Sequence, residues 1–387
     1  MAKRRGHGEG AVYKRQDGRW TAVLELGFQG ETRKRQSYYG RTKREVLDKL
    51  AEGRTKLMAG LPVGQSTQTV GDFLDIWLRD VVKPNVRPHT HKAYEVKARL
   101  QLKPALGRER LARLSPQHVQ AYVAAAQEDK VSPGVIKYAL MVLSVALSHA
   151  ERQGLVARNV ARLVVAPRVE TREIVPMDVE DATRFLIAIK GVRLEALYRV
   201  ALALGIREGE ALGLRWRDVD LDGRVAHIRV QLQYNPYTKV LELVDLKSAQ
   251  SRRSINLPDF AVRALRDHRT RQLEERLRFG EAWTDWQGAG LVFTDELGMA
   301  IPARNILREL AKLREVAKLP GLRFHDTRHT CATLLLAQGV SEKVVMEILG
   351  HTNLTMTHRY AHVLPPLRQG AADALDAALN IADGRPG

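Results

Sequence analysis

Arg323-Phe324-His325-Asp326-Thr327-Arg328-His329 opens an apolar helical run, Thr330–Gln338, and fixes several ionisable side chains relative to one another. His325 and Arg328 stand at i and i+3, so on a helix both point to one side. An imidazole beside a guanidinium suits a phosphate oxygen. His325 and His329 stand at i and i+4, a metal-ligand spacing. A zinc-protease helix would need a glutamate where Asp326 stands, and no third ligand is evident, so no metal site is expected.

Three further signals flank this stretch. Downstream, Leu349-Gly350-His351 ends the helix Ser341–Leu349 at a glycine and leaves His351 on a loop, and Tyr360 follows nine residues later in a polar stretch. A lone tyrosine is usually half-buried packing, with its hydroxyl bonded at a surface. Upstream, Gly205-Ile206-Arg207-Glu208-Gly209-Glu210 is a glycine turn that delivers Arg207 to a helix start, with Glu210 placed to buttress it from the same face. Taken alone, such a pair is usually a surface salt bridge. Between them, Lys247 lies in Asp245-Leu246-Lys247-Ser248-Ala249-Gln250-Ser251-Arg252-Arg253, the turn joining two strands. It gains meaning only if the hairpin folds over a charged substrate.

The chain has 387 residues, enough for two or three domains, and a net charge of +18. That excess argues for a polyanionic partner, most often nucleic acid. Residues 1–60 carry a net +8, residues 61–170 a net +7, and the remaining 217 only +3. The positive footprint therefore lies in front of a more balanced rear. One cysteine excludes an intramolecular disulfide framework. No run of about 18 apolar residues is apparent, so no membrane association is expected, and the protein is expected in the cytoplasm.

The predicted fold is mainly α with small β-sheets, in three domains. Residues 1–60 read as a three-stranded sheet plus helix: strands Ala11–Lys14, Trp20–Gly27 and Thr32–Tyr39, a turn at Asp17-Gly18, and a capping box at Thr42–Glu45 opening a helix to about Met58. The third strand carries Arg33, Lys34 and Arg35, a basic face suited to a DNA groove. Residues 61–66 form a linker. Residues 67–168 read as a helical bundle, with helices over Val70–Val81, Thr90–Leu102, Gln117–Gln127 and Pro133–Gln153, and with Pro84, Pro88, Pro104 and Pro116 in the connections. Residues 169–387 read as mostly helical from Pro176-Met177. Strands are expected at Arg224–Leu232, Lys239–Leu243 and Ser254–Leu257, helices resume at Asp259, and an amphipathic tail helix covers Pro365–Ile381.

Taken together, Arg207, Lys247, His325-x-x-Arg328, His351 and Tyr360 resemble the active site of the tyrosine recombinase (phage integrase) family, in the family's order and with Leu-Gly-His upstream of the tyrosine. The resemblance covers nearly the whole chain. Residues 67–168 look like the family's core-binding helical domain, including Arg87-Pro88-His89-Thr90 and Pro104-Ala105-Leu106-Gly107, and residues 1–60 look like the arm-binding domain of lambda-type integrases. The resemblance implies a site-specific recombinase that integrates and excises a phage genome or other mobile element. Tyr360 would attack phosphorus and form a 3′-phosphotyrosine. Arg207 and Arg328 would clamp the non-bridging oxygens, Lys247 would protonate the leaving 5′ oxygen, His325 would assist proton transfer, His351 would bond the phosphate, and Glu210 would support Arg207.

Arg33, Lys34, Arg35, Arg87 and Thr90 are the expected DNA contacts. No cofactor is implied, because the phosphotyrosine retains the bond energy and no Gly-Lys-Thr phosphate loop occurs. The implied partners are double-stranded DNA at core and arm attachment sites, three further copies of the chain in a tetramer on a Holliday junction, and an accessory DNA-bending or excision factor. The implied setting is the cytoplasm of a bacterial host, at the nucleoid. A type IB topoisomerase shares the chemistry but lacks the arm-like domain. A DNA-binding repressor with a decayed site would not keep all six catalytic candidates.

Overall fold

Two prolines set the shape of the first helical pair in the computed structural model, which describes residues 11–29, 32–58, 67–170, 175–246 and 251–350. Pro84 and Pro104, expected in connections, lie inside continuous helical runs. Helix α2 (Val70–Ile76) continues through a π-turn, Trp77–Val82, into α3 (Lys83–Asn85). Helix α4 (Pro88–Lys97) continues through another, Ala98–Leu102, into α5 (Lys103–Leu106). A proline has no N–H, and its ring needs room at the carbonyl four residues back. Widening the preceding turn by one residue gives that room. Accordingly, the N–H of Lys83 reaches the Leu78 carbonyl and that of Lys103 reaches the Ala98 carbonyl. His91, buried, donates a second bond to the Leu78 oxygen at 3.1 Å. Pro88 and Pro116, also expected in connections, instead open helices at their first positions, two residues before Thr90 and one before Gln117.

The chain divides into two compact units, Met1–Thr171 and Arg172–Gly387. In the first, strands β1 (Ala11–Lys14), β2 (Trp20–Gln29) and β3 (Thr32–Gly40) form an antiparallel sheet in that order. Helix α1 (Lys43–Met58) packs on it, and Ala22, Leu24, Val46 and Leu50 make a small core of their own. Gly53 permits the close approach, since a Cβ there would overlap the Tyr38 hydroxyl. Thr42 accepts from the Glu45 N–H at 3.2 Å, and the Glu45 carboxylate reaches back to the backbone N–H groups of Thr42 and Arg41, the latter at 2.9 Å.

Helices α2 to α5 pack with α6 (Pro116–Glu128) and α7 (Pro133–Arg152) around Leu74, Trp77, Leu102, Tyr122, Leu143 and their neighbours. Helix α7 is long and apolar enough to cross a membrane by composition, a feature the continuous-run reading passes over. Its stripe Ile136, Ala139, Leu143, Ala146 and Ala150 is buried in this core.

In the second unit the helical pattern starts later than Pro176. Asp178 caps α8 (Val179–Ala188) by accepting from the Asp181 N–H at 2.7 Å, and the Met177 N–H is bonded to Thr330 instead. Helices α9 (Glu195–Leu204) and α10 (Glu208–Leu212) follow. The expected strand Arg224–Leu232 is two strands in different sheets. Strand β5 (Val225–Ile228) pairs with β4 (Val219–Asp220) and β8 (Arg253–Asn256), whereas β6 (Val230–Tyr234) pairs with β7 (Leu241–Asp245). The break falls at Arg229, whose guanidinium reaches the buried Asp218 at 3.3 Å. Beyond it the β6 backbone lies against the glycine face of α10. A Cβ on Gly213 would stand 2.7 Å from the Leu232 nitrogen, and one on Gly209 would stand 3.0 Å from its oxygen. Lys239 lies in the β6–β7 turn, not in the second strand.

Helix α11 (Asp259–Phe279) turns polar side chains inward. His268 donates to the Val292 carbonyl at 2.8 Å, Gln272 accepts from the Trp216 indole at 2.7 Å, and Glu275 grips Arg193 with two 2.7 Å bonds. Helices α12 (Ala303–Val316), α13 (Phe324–Ala337) and α14 (Glu342–Leu349) complete the described part.

Burial holds His268 neutral, with its pKa lowered from 6.5 to about 4. The unfolded chain therefore binds a proton here before the folded chain does, so stability is full above pH 6.5 and is lost as pH falls toward 4. The loss from this residue should reach about 2 kcal/mol at pH 5, at ~1.4 kcal/mol per pH unit. Urea midpoints measured between pH 7 and 5 should fall accordingly, and less steeply in His268→Gln. Equal slopes in the two chains would remove His268 as the cause.

Candidate active site

Helix α9 ends at Gly205, which takes the left-handed conformation (φ +57°) and returns its N–H to the Ala201 carbonyl. Only glycine fits here, because a Cβ would also overlap Leu349 Cδ2 and crowd Cys331. Two residues on, Arg207 starts α10 in extended conformation. Glu210 accepts from the Arg207 N–H at 3.0 Å through Oε2 and from its Nη1 at 2.7 Å through Oε1. The Arg207 side chain is 37% exposed and that of Glu210 only 1%. The expected buttress is therefore a buried carboxylate carrying a guanidinium to the surface. Burial pushes the Glu210 pKa up, but Arg253 and then Arg207 outweigh it and hold it below the usual carboxylate value.

Helix α13 brings the second half. Asp326 caps it, accepting the Arg323 N–H at 2.8 Å and the Arg323 Nη2 at 2.7 Å. The aspartate that breaks the zinc-protease pattern thus has a structural task. Arg328 is 2% exposed, and its Nη1 donates to the Gly205 carbonyl at 2.7 Å, which joins α13 to the turn that presents Arg207. His325 lies one turn before Arg328 with part of its ring open to solvent. Desolvation of the rest of the ring, then the charges of Arg328 and Arg207, lower its pKa from 6.5, so it is neutral near pH 7. His329 meets it edge to face at 4.8 Å between ring centroids, and burial together with His325 lowers the His329 pKa to about 4.

Arg207, Glu210, His325 and Arg328 are thus brought into one constellation. Lys247, His351, Tyr360 and the tail Pro365–Ile381 lie outside the described residues, although α14 does end at Gly350 in the left-handed conformation (φ +66°), as the sequence requires. Of the proposed DNA contacts, Arg87 and Thr90 sit half-buried at the start of α4, and Arg35 pairs loosely across the sheet with Glu25 at 3.8 Å. Arg33 and Lys34 are placed in β3 by backbone pairing with Phe28 and Gly27, and their side chains lie outside the described set.

One residue at the site escaped the motif reading. Arg253, at the start of β8, donates to Glu210 Oε2 at 2.9 Å with its side chain 6% exposed. Period-two alternation could have found it, since Arg253 shares a strand face with Ile255 and Leu257, both buried. It also lines a cavity of about 470 Å³ with Arg215, His227, Arg229, Arg252 and Asp245.

A model of the phage integrase family matches residues 176–365, and one of the phage integrase N-terminal SAM-like domain matches residues 69–125. A "tyrosine recombinase XerC-like" protein of Caldanaerobacter subterraneus subsp. tengcongensis is 32% identical, over 88% of this chain and 91% of its own. An integrase of Streptomyces ambofaciens is 30% identical over 97% of this chain and 98% of its own. In fold, the chain is similar to the Tn1549 transposon integrase in complex with a circular intermediate DNA. The TM-score is 0.67 at 21% identity, covering 80% of this chain and all of that one. A lambda integrase tetramer bound to a Holliday junction gives 0.53 at 16% identity, covering 92% and 96%.

Histidine NMR should find His325 titrating below 6.5 and His329 near 4. Arg207→Ala removes a neighbouring cation, so His325 should move up toward 6.5 while His329 stays in place. An unmoved His325 would put Arg207 outside its electrostatic reach.

Proposed function

The chain belongs to the tyrosine recombinase (phage integrase) family of DNA strand-cutting and rejoining enzymes, and on that premise we propose how its own residues divide the work. Tyr360 is the nucleophile. Its oxygen attacks the scissile phosphorus, the bond to the 5′ oxygen breaks, and a 3′-phosphotyrosine remains. A phenol near its ordinary pKa of about 10 is a poor nucleophile at neutral pH, so the proton must be drawn off as attack proceeds. His325, neutral near pH 7, is suited to take it. Arg207 and Arg328 stabilise the charge that builds on the non-bridging oxygens, and His351 adds a hydrogen bond there. Lys247 gives its proton to the departing 5′ oxygen. Glu210 keeps Arg207 aimed.

The observation that carries this reading is the bond from Arg328 to the Gly205 carbonyl. It fixes two arginines from distant parts of the sequence on either side of one turn, with His325 in their field. DNA is the substrate. We extend the proposal to a division of labour along the chain: residues 1–60 on arm sites, 61–66 as linker, 67–168 gripping the core site through Arg87 and Thr90, and 169–387 cutting it. The separate small core of the sheet-plus-helix and the +8 charge of residues 1–60 support the first assignment. Strand exchange would take four copies on a Holliday junction, in the cytoplasm, with an accessory DNA-bending factor setting direction.

The chain's attachment site can be found by trapping covalent adducts on fragments of element and host DNA, and a nicked duplex of that site then serves as substrate. Tyr360→Phe removes one oxygen, so DNA affinity should hold while adducts resistant to boiling in detergent vanish. A stable adduct from this variant would assign the nucleophile elsewhere.

Lys247→Ala should slow single-turnover cleavage by about 10²–10⁴ with affinity nearly unchanged. A 5′-bridging sulfur, which leaves as a thiolate without a proton, should restore the rate. Without that restoration the general acid is another residue, with Lys239 first in line.

A further inference from the structure

We propose that Arg253 is a positioning residue that aims Arg207 by tying its partner Glu210 to the last turn of α14 and the start of β8; the role rests on the catalytic reading above. Its guanidinium donates to acceptors on three separate stretches of chain. Nε reaches the Ile348 carbonyl at 2.6 Å, Nη1 the Ser251 carbonyl at 3.0 Å, and Nη2 the Glu210 carboxylate at 2.9 Å. Ile348 lies in the last turn of α14, three residues before His351 in sequence. Ser251 follows Lys247 by four residues, and Glu210 carries Arg207. One side chain therefore ties together Ile348, Ser251 and Glu210.

The chemistry of the position calls for arginine. A planar guanidinium presents donors in a fixed fork and can serve acceptors lying in three directions, whereas a lysine offers one nitrogen at the end of a flexible stem. The stem is clamped as well. A Cβ on Gly350 would stand 3.2 Å from Arg253 Nη1 and 3.3 Å from its Cδ, so the glycine that ends α14 is also the surface on which Arg253 lies.

Arg253 is buried and reaches DNA only through others. Its principal lever is Glu210, where it holds the same oxygen that accepts the Arg207 N–H. Without Arg253 that carboxylate keeps its two bonds to Arg207 but loses its tie to α14 and β8, so the pair can shift together. Misplacement of a catalytic group by about 1 Å costs on the order of 10²-fold in rate.

The test uses the full chain and the nicked attachment-site duplex. Arg253→Met should slow single-turnover cleavage by about 10–100-fold while DNA affinity stays within about threefold. Introduced into an Arg207→Lys chain, the same change should cost less than about threefold, because the group it positions is already displaced. Parental cleavage by Arg253→Met would overturn the proposal. So would an equal loss in both backgrounds, or a fall in affinity that matches the fall in rate, as general destabilisation would give. Should Arg253→Met not fold, Arg253→Lys, which keeps the charge without the fork, is judged by the same criteria. The two proposals fail differently. Arg207→Lys cleaving at the parental rate counts against the catalytic reading itself, whereas a slow Arg207→Lys beside a fast Arg253→Met counts against the positioning role alone.

Discussion

A single buried carboxylate, Glu210, lies between two guanidinium groups, and the order of the catalytic unit around its site depends on that arrangement. Desolvating Glu210 and the Arg253 side chain is expensive, and such a buried pair is weak as a source of net stability. Removing Glu210 is another matter, since it leaves Arg253 buried without a carboxylate, while the partly exposed Arg207 turns back to solvent. The gain is geometric. Arg207 on one side is committed to a single direction by two bonds to Glu210, and Arg253 on the other transmits that direction to α14 and the β8 segment. An apolar cluster of equal volume could fill the space but could not aim a surface guanidinium.

Helix ends supply the rest of the alignment. Gly205 closes α9 and Arg207 opens α10, so one half of the constellation is presented from helix termini, while His325 and Arg328 come from one face of the first turns of α13. Termini leave backbone groups unsatisfied by the helix itself. Here one of them is used as a fixed point, since the Gly205 carbonyl takes the Arg328 guanidinium. The two left-handed glycines have a second function as close-approach sites, Gly205 against Leu349 and Cys331, Gly350 against Arg253. Backbone conformation and packing thus impose the same residue independently.

Much of this was legible in the sequence where a local rule governs it. The three N-terminal strands, the start of α1, the existence of helices α4 and α6 and the glycine stop at Gly350 follow from turn, cap and periodicity signals that act within a few residues. The buttress of Arg207 by Glu210 was legible for the same reason, being an i, i+3 pair. What failed depended on distant partners. The break at Arg229 arises because Asp218 and the glycine face of α10, both far away in sequence, redirect a stretch whose own composition favours one unbroken strand. The π-turns before Pro84 and Pro104 are a tertiary answer to a local prohibition: proline rules out a regular helix but does not say whether the chain will stop or widen. Arg253 was hidden by its position in an arginine-rich hairpin, where charge suggests exposure and only the alternation with Ile255 and Leu257 reveals an inward side chain.

The distribution of charge fits the division between holding DNA and cutting it. The net charge of +15 over the first 170 residues acts at a distance and is screened by salt, as suits a non-specific grip on a phosphate backbone. The remaining 217 residues carry a net +3, and among the described ones several arginines are committed to carboxylates: Arg193 to Glu275, Arg215 to Asp218, Arg253 to Glu210. Each such pair turns a mobile charge into a fixed donor at a known place. A domain that relied on excess charge for catalysis would bind every phosphate alike. Arg207, held on a buried carboxylate, is likewise a donor at one fixed place, which under the proposed division of labour is where the scissile phosphate sits. Affinity and rate can then be set by different parts of the chain.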